Sequence, residues 1–170
     1  MNCFPPRVRR KIAQAGYDPI AANIELIHTR LLKHRQQAIH IPFDTEEQVT
    51  IGHVLVLWQA HLHRVERLMV TCGSAIENND PYGLAALIRA IIESTAVTVA
   101  IRAKLGDLAS QRIDYETFDR LVTSSFIGSR SVHLPDGPQA VNILTHIKNA
   151  DRFIDSQLDV GMSASPDDGL

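Results

Sequence analysis

The sequence predicts an all-α protein, an up-and-down bundle of five to six helices. Three observations lead there. Apolar residues recur at spacings of three and four over long stretches. Asp-Pro pairs and capping-box spacings stand where those stretches begin. No alternation of apolar and polar residues persists long enough for a strand. The composition agrees, because the 45% of hydrophobic residues include only 5% of aromatics and are mostly Leu, Ile, Val and Ala, which suit helix–helix packing. At 170 residues the expected unit is one helical domain over 1–170, with 158–170 a tail or the opening of a truncated helix.

A short first helix is expected near 6–15, ended by Gly16. The second spans about 19–38, opened by Asp18 as N-cap with Pro19 at the first helical position, and it ends before Pro42. The third covers 45–78, where Asp44 with Glu47, or Thr45 with Gln48, has the capping-box spacing. It carries the clearest pattern in the chain. Ile51, Leu55, Trp58, Leu62, Val65, Met69 and Cys72 follow spacings of 4, 3, 4, 3, 4 and 3, widened by Val54 and Leu68, which describes a narrow seam. The fourth helix is opened by Asp80-Pro81, covers 81–105 and has Gly106 as its C-cap. A fifth covers 114–127 after a turn at 107–112, and a sixth covers 138–157, after a weaker Gly137-Pro138 start. Ser165-Pro166-Asp167-Asp168 has the chemistry of one more helix start, just before the last residues given.

The net charge of −2 argues against strong non-specific attraction of the whole chain to nucleic acid. Charge is uneven, however. Arg7, Arg9, Arg10, Lys11, Arg30, Lys33 and Arg35 crowd the first 40 residues, and aspartates crowd 151–168. A basic end of this kind could touch phosphates or an acidic partner, or be an ordinary solvated face. Cys3 and Cys72 are the only cysteines and make neither a disulfide framework nor a zinc spacing. The first residues lack a signal-type apolar run, and the most apolar stretch, 84–101, is interrupted by Arg89 and Glu93. It therefore reads as a buried helix, with no membrane partner and a cytoplasmic setting as the default.

The eight histidines do not make a metal site by spacing. His61 and His63 point about 200° apart on a helix, and His53 and His61 stand roughly 12 Å apart along it. Glu25 and His28 have the Glu-x-x-His spacing of di-metal bundles, but such sites need two of these motifs with further glutamates. Surface histidines are expected, with no metal and no cofactor. No nucleophile elbow, phosphate loop or dinucleotide fingerprint occurs, so no catalytic set follows. The ligand-binding candidates are Arg89 with Glu93, one turn apart and read first as a buried ion pair that fixes packing, and Arg130 with His133 in the connection 128–137. Arg35 and His40 match the loose pattern Arg-x4-His.

Leu84 to Val97 reads Leu-Ala-Ala-Leu-Ile-Arg-Ala-Ile-Ile-Glu-Ser-Thr-Ala-Val. It resembles the Arg-x-x-x-Glu helix of bacterial proteins of unknown function related to the HEPN helical bundles. Val141 to Ile154 looks like a later helix in such proteins, and the resemblance covers about residues 50–158. It implies self-association, an RNA or protein partner, and a bacterial stress or defence setting. Catalytic HEPN proteins use Arg-x4-6-His at the start of a late helix, and no late helix here carries it. The expected function is thus a non-catalytic interaction or ligand-sensing module. An RNA-directed endoribonuclease or its inactive relative is the alternative, and a small-molecule bundle centred on Arg89 and Glu93 a third reading.

Overall fold

The computed structural model describes residues 3–41, 44–127 and 143–163, with side chains described over 3–41, 44–125 and 143–156. The fold is an all-α helical bundle. Its helices are α1 (Pro6–Gln14), α2 (Asp18–His34), α3 (Glu46–Glu77), α4 (Pro81–Ala109), α5 (Tyr115–Ile127) and α6 (Ile143–Ser163), with no strand among the described residues. The chain divides into two compact units, Met1–Thr95 and Ala96–Leu170, and α4 contributes its first half to one and its second half to the other.

Helix ends are set by local chemistry. Thr45 accepts from the backbone N–H of Gln48 at 3.2 Å, while Gln48 Oε1 accepts from the N–H of Asp44, so of the two capping-box spacings the Thr45–Gln48 pair is used. Asp80 caps α4 through the N–H of Gly83, and Asp114 caps α5 through that of Thr117. Asp18 departs from expectation. It is the first residue of α2, caps nothing, and pairs with Arg9 at 3.2 Å instead. The ends of α1, α3 and α4 all close with a left-handed residue, Gly16, Asn79 and Gln111. In each case the next N–H reaches back five residues, to the carbonyls of Ile12, Ala75 and Asp107. Gly106 is therefore not the C-cap expected of it. α4 runs through it to Ala109, because the stop is Gln111, whose following residue Arg112 also pairs with Asp107.

In the first unit, α1, α2 and α3 pack on one another. Cys3, Phe4, Val8, Ala21 and Met69 form the buried core, flanked by Ile12, Ile24, Leu31, Val65, Ile76 and Ile91. Burying a side chain such as Phe4 or Val8 is worth about 1.5–3 kcal/mol. Lys11 closes the end of α3. Its ammonium donates to the carbonyls of Ile76 and Glu77 and to Asn79 Oδ1, placing a positive charge on the negative end of a long helix.

In the second unit Ala96, Val97, Ala100, Ile101, Phe118, Val122 and Ala150 are buried, with Ser124 and His146 among the buried polar residues. Arg102 stacks over the Phe153 ring at 5.9 Å, a cation–π contact between α4 and α6. Burial holds the His146 imidazole below its ordinary pKa. His28 and His146 are thus both interior, against the expectation of surface histidines, because each lies on the packed side of its helix.

Candidate functional site

Arg89 and Glu93 do pair, Nε to Oε1 at 2.8 Å, but the pair lies on the surface. The Arg89 side chain is 79% exposed and that of Glu93 27%. The expectation of a buried ion pair is corrected on this point. These positions fall on the open side of α4, where Ala85, Ala86, Ile88 and Ile92 are exposed too. Of the most apolar 18 residues of α4, 28% are buried, so the expected buried helix is covered only in part. By length and composition alone that helix could cross a membrane. Arg130 and His133 lie outside the described residues, as does the tail at 165–168.

The other candidates are drawn into the packing of the first unit. Glu25 accepts from Arg9, which also holds Asp18, so Glu25 and His28 do not act as one motif. Arg35 donates to Glu66 and His40 is exposed. Arg9, Lys11 and Arg35, three of the seven basic residues of the amino end, are engaged within the fold.

Glu66 is the centre of that packing. It is buried on α3, and its carboxylate takes Arg35 Nη1 at 3.1 Å on Oε2, with His28 Nε2 at 3.6 Å from Oε1 and Arg67 Nε at 4.0 Å. His28 is buried, and among the described residues neither ring nitrogen has a hydrogen-bond partner. One turn-pair earlier, buried Gln59 donates to the His34 carbonyl and accepts from the Gln36 N–H at 2.8 Å. His63 lies 3.1 Å from the Gln36 carbonyl. These contacts satisfy the open end of α2, where Arg35 turns extended, and so α2 ends earlier than its sequence pattern predicts. Four buried residues of α3 recur every seven positions and meet the crossing chain in order. Gly52 faces Ile41, Gln59 faces 34–36, Glu66 faces Arg35 and His28, and Gly73 faces residues 3–5. Sequence reasoning passed over this stripe because its members are polar or glycine, and only their shared period of seven marks them.

The apolar seam of α3 is half covered. Met69 and Cys72 are buried and Val65 packs against the core, whereas Ile51 is 47%, Leu55 41% and Trp58 42% exposed. The unbroken spacing of the sequence therefore divides between an internal face and an external one. Among the described residues no three His, Cys, Asp or Glu side chains group as metal ligands. Comparison with family models, curated proteins and solved structures finds no match for the chain.

Proposed function

We propose that the protein is a non-catalytic helical interaction module that self-associates through the amino-terminal half of the α3 seam. The observation that carries this is the exposure of Ile51, Leu55 and Trp58 in a run whose other half is core. Three large apolar side chains at spacings of four and three make a surface shaped for another helix. The run is also self-complementary. Two copies packed antiparallel about a two-fold axis bring Leu55 of one opposite Trp58 of the other, and Ile51 opposite Leu62, in alternating layers. The buried polar stripe supports a scaffolding role, since Glu66 accepts from Arg35 and Gln59 bonds to the His34 carbonyl and the Gln36 N–H rather than facing an open cleft. The ribonuclease alternative needs an available arginine in an Arg-x4-His pair, and Arg35 is held by Glu66.

Sedimentation velocity over a concentration series tests the reading. The wild type is expected to dimerise, and Leu55→Glu with Trp58→Glu to remain monomeric at unchanged helicity and melting temperature. A wild type that is monomeric throughout, or one that floats with lipid vesicles through α4, overturns it.

A further inference from the structure

We propose that residues 35–39 are a two-state strap, held extended along α3 here and winding onto α2 as a further turn of helix when the α3 side chains release them. Nothing local stops α2. α1, α3 and α4 close with the left-handed residues Gly16, Asn79 and Gln111, but α2 has no such residue at its end among the described residues. It ends at Arg35 with φ −75° and ψ 125°. That φ is one a helix also uses, so rotation about ψ separates the strap from a continued helix. Arg35-Gln36-Gln37-Ala38-Ile39 contains neither glycine nor proline, and four of the five are among the best helix formers. Pro42 disfavours helix at Ile41 before it and so limits the extra turn.

What stops α2 comes from α3. The Gln59 amide donates to the His34 carbonyl at 3.1 Å and accepts from the Gln36 N–H at 2.8 Å. In a continued helix that carbonyl would accept from the N–H of Ala38, and that N–H would donate to the carbonyl of Leu32. One side chain therefore takes a donor and an acceptor that the next turn needs. The Gln36 carbonyl lies 3.1 Å from His63 Nε2, Arg35 is held by Glu66, and Ile41 packs on Gly52. The two states exchange hydrogen bonds nearly one for one, so a small loss at α3 tips the balance. Chain length permits the change. Gln59 to Glu46 is about 20 Å of helix, five wound residues cover about 7.5 Å of it, and residues 40–45 reach about 20 Å when extended. The strap closes the side of α3 that carries Gln59, which is buried, and the wound state opens it.

The test is the backbone carbon chemical shifts of the full chain at residues 35–39, in the wild type and in Gln59→Leu, which removes both amide bonds and keeps the side chain's bulk. The wild type is expected to show extended values there. In Gln59→Leu the same residues are expected to move to helical values, while the shifts of Val8, Ala21 and Met69 in the core stay in place. Adding Gln37→Pro, which an interior helical position rejects, should return residues 35–39 to non-helical values. Should Gln59→Leu not fold, His63→Ala carries the test, because it removes a single bond near the surface and should move the same shifts part of the way. Helical shifts in the wild type overturn the proposal. So do residues 35–39 that stay extended, or turn to random coil, in every folded variant.

Discussion

Arg35 Nη1 donates to Glu66 Oε2 at 3.1 Å, and this bond holds the extended chain after α2 against the middle of α3. The carboxylate is buried whereas the arginine keeps about a third of its side chain in water. The two partners are therefore unequal. Removing Arg35 leaves a buried charge whose other partners among the described residues are the more distant His28 and Arg67. Arg35→Met is expected to cost roughly 1–3 kcal/mol in urea unfolding, and Glu66→Gln less, since an amide can still accept from the guanidinium. Equal stability of Arg35→Met and wild type would show that water already compensates Glu66.

Gly52 packs against Ile41 so closely that an added Cβ would collide with Ile41 Cγ2. On an exposed helix Gly→Ala gains up to about 1 kcal/mol. Here the overlap reverses the sign, and Gly52→Ala is expected to destabilise by about 1–3 kcal/mol in thermal unfolding. Pairing it with Ile41→Ala should restore part of the loss, because the colliding branch is then gone.

The surface pair Arg89–Glu93 is expected to matter little for stability. Exposed pairs one turn apart contribute about 0.3–0.5 kcal/mol, so Arg89→Ala and Glu93→Ala should each unfold within ~0.5 kcal/mol of wild type. A loss of several kcal/mol in either would mean that this side of α4 is covered in solution.

His146 supplies the pH dependence. Its buried imidazole titrates below its ordinary value of 6.5, so the unfolded chain takes up a proton that the folded chain refuses. Stability is then fully present above about pH 6.5 and falls as pH drops through the unfolded value towards the folded one. Urea midpoints measured from pH 8 to 5 are expected to fall less in His146→Gln than in wild type. An identical slope in both would place the imidazole in water.

The sequence by itself determined the fold class, the existence of the helices and several of their ends, because these depend on contacts within a few residues. Thr45 with Gln48, Asp80 before Pro81 and left-handed Gly16 act through hydrogen bonds to their own neighbourhood, and that neighbourhood is written in order along the chain. What only the tertiary structure decided is which side of each pattern faces inwards. The α3 seam reads as one surface from Ile51 to Cys72, yet its second half is core and its first half is exposed. Arg89–Glu93 and Arg35–Glu66 look alike on paper, an arginine and a carboxylate on helical ground. The first lies on the surface and the second surrounds a buried carboxylate, because residues 31 apart in the chain meet only when α2 crosses α3. Burial is a property of that meeting, and periodicity along one helix carries no information about the partner that covers it.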